Sequence, residues 1–441
     1  MNTPVHADLL LHAKWLLPIV PRGKVMENCS VAILGGEIID ICPSSEARKR
    51  YPNAVSQALP DHVLMPGLIN THGHAAMALF RGMADDMPLM QWLENHIWPA
   101  EQRWVDPLFV YEGTRLAIAE MLLSGTTCFS DMYFYPEEAA RAAIEVGMRS
   151  QITFPIIDLP TMYAKDADDY LAKGLKLADQ YRARDLITVG FGPHAPYTLS
   201  DAPLREIAIL AEELQAPVQI HLHETPFEVA QALEHGGKRP IERMADLGLL
   251  SPLLQAVHMT QMDANDIALM ATSGAHVIHC PTSNLKLNSG VCPAQALLDA
   301  GVNVALGTDG AASNNALDLF SEMHMAALIG KLSNHDAAAL TALTALEMAS
   351  LNAAKAMGID DKVGSIEVGK RADLIAIDMS HIAQQPLYHV VNQLVYTHVG
   401  HHVSHVWVDG KAMVKNRELL CLDADEIKTG SAKWQQKLGK H

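Results

Sequence analysis

Apolar residues along this chain follow two rhythms. Near the N-terminus they form short runs broken by turn residues: Asp8–Leu17 before Pro21-Arg22-Gly23, then Ser30–Leu34, Gly35-Gly36 and Glu37–Ile41. A Gly-Gly between two strand-like runs signals a hairpin. The same texture returns at 372–378 and 403–411. Residues 1–62 and 363–441 are therefore expected to build one small β-sandwich domain from both chain ends. Between them, residues 63–362 alternate apolar runs with helical periods such as Asp106–Ser124, Pro136–Val146, Ala202–Leu214 and Asp263–Ser273. The runs at 64–70, 126–131, 151–157, 187–192, 217–222, 254–258, 275–280 and 302–307 read as eight strands.

Strands alternating with helices pair in parallel through right-handed crossovers. Eight such units in roughly 300 residues suit an α/β fold of the (β/α)₈ TIM-barrel type. A doubly wound open sheet is the competing topology. It would gather polar residues at one crevice, whereas here they follow most of the strands. The barrel is the better reading.

Composition narrows the function. Of 441 residues 49% are hydrophobic and 19% charged, enough for a large core and unlike a disordered chain. A net charge of −17 with no basic run argues against a nucleic-acid partner. The six cysteines are scattered without a Cys-x-x-Cys pair, as in a reduced cytoplasmic protein. Met1–Trp15 lacks the pattern of a signal peptide, and no run of eighteen apolar residues predicts a membrane span.

In a barrel the chemistry belongs at the C-terminal strand ends, and the unusual residues fall there. The first strand leads to His72-Gly73-His74, the fourth to His194 and the fifth to His221, His223 and Glu224. The sixth ends in His258, the seventh in His279 and the eighth in Asp309. On an extended chain residues i and i+2 share a side, so His72 and His74 can converge. Two histidines capping a buried strand would be the bland explanation for that pair alone. Convergence from six strands favours a metal. Three imidazoles and one carboxylate suit zinc, and Fe²⁺ accepts the same ligands. The proposed set is His72, His74, His221 and Asp309; His223 and His279 are weaker competitors.

The motifs Met65-Pro66-Gly67-Leu68-Ile69-Asn70-Thr71-His72-Gly73-His74, His221-Leu222-His223-Glu224-Thr225, His279-Cys280-Pro281-Thr282-Ser283-Asn284 and Gly307-Thr308-Asp309-Gly310 resemble those of the amidohydrolase superfamily. So does the late stretch Val363–Leu374. Within it the chain is similar to the triazine hydrolase and deaminase branch, closest to the 5′-methylthioadenosine/S-adenosylhomocysteine deaminases. The resemblance implies a mononuclear site with one zinc per subunit and a cytoplasmic homodimer or homotetramer.

It also implies roles for residues. Asp309 would take a proton from water, Glu224 would protonate the heterocycle, and His258 would orient the nucleophile. Trp92 and Glu101 would meet the nucleoside, Glu101 through the ribose hydroxyls, and His194 would contact the base. A helix-capping acid at Glu224 and an ordinary amphipathic helix around Trp92 and Glu101 are the plainer readings. The expected reaction is hydrolytic deamination of 5′-methylthioadenosine, with S-adenosylhomocysteine a poorer substrate, because 151–181 contains no arginine for an amino-acid tail. Lys165, or Arg149 from the strand, would be the substitutes. Deamination or dechlorination of guanine, a pterin or a triazine is the alternative. A scaffold without activity would be expected to have lost ligands.

Overall fold

In the computed structural model, which describes residues 6–439, the two rhythms become two sheets. The extreme start of the Met1–Trp15 stretch lies outside the described residues. Strands β1 (Leu9–Leu16), β2 (Met26–Leu34), β3 (Glu37–Pro43) and β4 (Val55–Pro66) begin the first sheet. Gly35 and Gly36, at φ 56° and 81°, supply the left-handed pair that turns β2 into β3.

Eight parallel strands follow: β5 (Leu68–Asn70), β6 (Thr126–Asp131), β7 (Arg149–Ile156), β8 (Ile187–Pro193), β9 (Val218–Leu222), β10 (Leu254–His258), β11 (His276–His279) and β12 (Asn303–Leu306). Each pairs with the next in chain order. The ring closes where Thr71 N–H donates to Leu306 O at 3.2 Å and Asp309 N–H to His72 O at 3.1 Å. It is a (β/α)₈ barrel.

The chain then re-enters the first sheet with β13 (Leu374–Asp378), β14 (Val403–Val408), β15 (Lys411–Lys415) and β16 (Glu418–Leu419). The strand order β16-β15-β14-β13-β4-β1-β2-β3 joins the two chain ends at an antiparallel β4–β13 ladder. Pleating divides the labour: Leu64, Leu374 and Trp407 face a core belonging to this sheet, while Val63, Met65 and Ile375 face the barrel's core. A buried ion pair, Arg149 Nε to Asp373 Oδ2 at 2.8 Å, ties the barrel to the sheet.

Two boundaries differ from the sequence expectation. The strand read over 64–70 is two strands, because pairing switches from β13 to β6 at Gly67. A Cβ on Gly67 would lie 2.1 Å from Thr127 Oγ1, so only glycine lets the chain pass that closely. The segment Ala424–Leu438, expected within the terminal β-domain, is a helix capped by Asp423. Its Trp434 stacks edge-on against Phe109 and donates to Glu112 of the barrel helix Pro107–Leu123. Among the described residues no helix is long and apolar enough to cross a membrane.

Candidate active site

Beyond β5 the chain runs on through Thr71 and places the His72 and His74 rings with centroids 4.9 Å apart. Gly307, at the end of β12, lies against them; a Cβ there would meet the His72 backbone N at 2.9 Å. That close approach brings Asp309 Oδ1 within 3.5 Å of His72 Nε2 and 3.3 Å of His74 Nε2. From β9, His221 Nε2 reaches 3.3 Å from His72 Nε2. His72 is therefore shared by two groups: it meets His74 and Asp309 on one side and His221 on the other.

Their second nitrogens show that they are set for a cation. His72 Nδ1 lies 2.8 Å from Gln219 Oε1, His74 Nδ1 2.6 Å from Met132 O and His221 Nδ1 2.7 Å from His194 O. Each acceptor fixes the proton on Nδ1 and leaves the Nε2 lone pair facing the centre, as ligating histidines require. Asp309 Oδ2 accepts from Ser283 Oγ at 2.6 Å and Ser313 Oγ at 2.9 Å, leaving Oδ1 toward the imidazoles. Burial pushes the Asp309 carboxyl up, but the His72 and His74 rings set against Oδ1 hold it well below the usual range. Three imidazoles and one carboxylate gathered about His72 form a donor set for a divalent metal.

Beside this centre stand Glu224 and His258. His258 Nδ1 lies 2.8 Å from Asn284 Oδ1, and Nε2 lies 3.8 Å from Glu224 Oε2. His258 completes a three-nitrogen group with His72 and His221, beside the group of His72, His74 and Asp309. Burial, with Asp309 adding to it, pushes the Glu224 carboxyl up to about 8, while a hydrogen bond from Ser289 opposes. A carboxyl raised so far carries its proton near neutrality and can give it away. His258 and Asp309 have φ of 76° and 63°, rare for residues with side chains. Strain of this kind gathers at sites held by their surroundings.

A cavity of about 670 Å³ opens over the centre and is lined by His74, His194, His221, Glu224, His258 and Asp309. Trp92, buried with its indole N–H donating to Ala84 O at 3.1 Å, and Glu101 line the same cavity. Both lie on the insertion after β5, where helix Leu89–Trp92 passes through a π-turn, Leu93–Ile97, into helix Trp98–Trp104. Tyr133 donates to Glu101 Oε1 at 2.8 Å. Burial pushes His194 down to about 4, so it meets a ligand as a neutral imidazole.

His223 lies outside the centre: Nδ1 bonds Gln261 O at 2.8 Å, and Nε2 accepts from Ile241 N–H at 3.0 Å. His279 is buried and likewise joins neither ligand group. Arg149 is held at Asp373 by the sheet and does not reach the cavity, contrary to the role considered for it. The sequence reading passed over the residues that orient the ligands, Gln219, Ser283, Asn284 and Ser313. Gln219 was detectable, since it stands two residues before His221 on the same strand face.

The amidohydrolase family profile matches residues 63–413. The chain belongs to the amidohydrolase family. It is 58% identical over 438 residues, 99% of this chain and 98% of the relative, to a 5-methylthioadenosine/S-adenosylhomocysteine deaminase of Saccharophagus degradans. A 5′-deoxyadenosine deaminase of Methanosarcina acetivorans is 40% identical, with 96% of each chain covered. Among solved structures, an adenosine deaminase from Xanthomonas campestris with bound zinc superposes with TM-score 0.97 at 45% identity, covering 99% of both chains. An atrazine chlorohydrolase from Arthrobacter aurescens TC1, at 21% identity and TM-score 0.91 over 97% and 99% of the two chains, shares the fold. This member of the family is a hydrolytic aminohydrolase.

Proposed function

We propose that the chain is a zinc-dependent deaminase converting 5′-methylthioadenosine and water to 5′-methylthioinosine and ammonia, with S-adenosylhomocysteine a poorer substrate. One observation carries the nucleoside reading: a buried carboxylate, Glu101, lines the same cavity as the proton-transfer pair Glu224 and Asp309. A carboxylate accepting two vicinal hydroxyls reads a ribose. Guanine, a pterin or a triazine would offer no ribose hydroxyls to the oxygen that Tyr133 does not bond, at a cost. The names of the similar proteins point the same way.

His72, His74, His221 and Asp309 would hold one zinc ion. Zinc in such a site supplies Lewis acidity that brings the pKa of a water down towards ~7. Asp309 accepts the proton that the water gives up. Glu224, protonated near neutrality, donates to the purine ring nitrogen, and the water oxygen bonds to C6. The proton held by Asp309 goes to the amino group, the C6–N bond breaks to release ammonia, and Glu224 regains its proton from the C6 hydroxyl as it becomes the oxo group. His258, fixed by Asn284, orients the nucleophile and offsets the charge that develops. Trp92 packs against the nucleoside, and neutral His194 contacts the base. Ammonia release should be measured for 6-aminopurine nucleosides beside guanine, a pterin and a triazine. Preference for any non-nucleoside would refute the reading.

A further inference from the structure

Glu228 is buried, ionisable and unused by the chemistry above. It is the third residue of helix Pro226–Gly236, whose N-cap is Thr225. Thr225-Pro226-Phe227-Glu228 has the sequence of a capping box, in which the glutamate turns back to the N–H of the cap itself. Half of the box forms, with Thr225 Oγ1 accepting from Glu228 N–H at 3.3 Å. The Glu228 carboxylate instead reaches past the cap. Its Oε1 accepts the N–H of His223 and its Oε2 that of Glu224, both at 2.8 Å.

The two N–H groups point the same way because His223 sits at φ 52°. Successive N–H groups in such a left-handed kink make a concave seat for an anion. The carbonyls of the same two residues are also held. Glu224 O accepts from Thr260 Oγ1 at 2.7 Å, and His223 O accepts the N–H groups of Thr260 and Gln261 at 3.0 Å each. The backbone that carries Glu224 is gripped at its N–H groups by Glu228 and at its carbonyls by Thr260.

We propose that Glu228 is a positioning residue: its carboxylate fixes the backbone from which Glu224 reaches the substrate, and thereby sets the proton-transfer geometry. The inference rests on the proton-shuttle reading of Glu224. In E228Q the amide keeps one acceptor but turns N–H groups towards the second backbone N–H, at almost unchanged volume. E228D keeps both acceptors on a shorter stem.

E228Q should lower kcat for ammonia release about 10- to 100-fold, the loss a misplacement on the order of 1 Å produces. KM and metal content should hold, and E228D should recover part of the rate. A double-variant cycle separates this from general loosening of the fold. With Glu224 already replaced by Gln there is no proton-transfer geometry left to set, so E224Q/E228Q should turn over as slowly as E224Q. If E228Q slows E224Q by the same factor as it slows the wild type, or leaves kcat unchanged, the inference is wrong. Near-normal turnover in E224Q alone would remove the shuttle reading, and this inference with it. Should E228Q not fold, the same cycle with E228D decides the matter.

Discussion

Tyr133 donates its hydroxyl proton to Glu101 Oε1 across 2.8 Å, in a cavity wall where Glu101 is 8% exposed. Burial pushes that carboxyl up to about 7, against the pull of the Tyr133 hydrogen bond and of nearby His74. The form that accepts ribose hydroxyls is the carboxylate, which is present above about 7 and lost as pH falls through it. KM for a ribonucleoside should therefore rise on the acid side, and E101Q should flatten that limb. Loss of a charged hydrogen bond is worth roughly 1.5–3 kcal/mol, or about 10- to 150-fold in KM. A wild-type KM that stays level from acid to neutral pH would count against the ribose role.

Metal retention depends on groups behind the ligands. H72A and H221A should lose the ion and all activity. Q219L removes the acceptor from His72 Nδ1 and should weaken metal binding about 10- to 100-fold, with activity restored by excess zinc. Elemental analysis after dialysis against a chelator measures both. Full occupancy in H72A would refute the ligand set.

The cavity should discriminate between substrates by charge. Among the described residues lining it, none is lysine or arginine. Lys165 is exposed beside Asp166, Lys173 is bonded to Asp169 and the Tyr163 carbonyl, and Arg149 is paired with Asp373. The loop after β7 instead presents Leu159, Pro160 and Met162, an apolar wall for a methylthio group. 5′-Methylthioadenosine should exceed S-adenosylhomocysteine by at least ~10-fold in kcat/KM, about 1.4 kcal/mol. L159R should narrow the ratio. Equal specificity constants would show that the tail finds a cation elsewhere.

The pair joining barrel and sheet should matter for stability. Arg149 and Asp373 are each under 5% exposed, and Asp373 Oδ1 also accepts from Asp409 N–H at 2.7 Å. D373A leaves the buried guanidinium only the more distant Asp409 carboxylate, 3.8 Å away, at a cost of up to about 3–5 kcal/mol. Chemical denaturation should show that loss with the metal site intact. A change below about 1 kcal/mol would mean that water reaches Arg149.

The fold and the gathering of His72, His74 and Asp309 were legible because both rest on local pattern. Strand-length apolar runs ending in His72, His221, His258 and Asp309 announce a barrel and its reactive rim. The breaks at Gly67 and Asp423 were less visible. A change of pairing partner leaves the apolar run continuous, and a polar helix near the terminus announces itself only by its cap and the spacing of Ile427, Trp434 and Leu438. The residues that aim the ligands were hidden for another reason. Ser283, Asn284 and Ser313 act through contacts from distant strands, and Glu228 reads as an ordinary capping glutamate until its partners are seen.

The central claim is hydrolysis at C6 of a purine nucleoside, and isotopic oxygen tests it directly. Zinc-loaded protein incubated with 5′-methylthioadenosine in H₂¹⁸O should release one ammonia per nucleoside consumed and yield 5′-methylthioinosine carrying a single ¹⁸O on the base. Release of free adenine, or nucleoside consumed without ammonia and without label on the base, would contradict it.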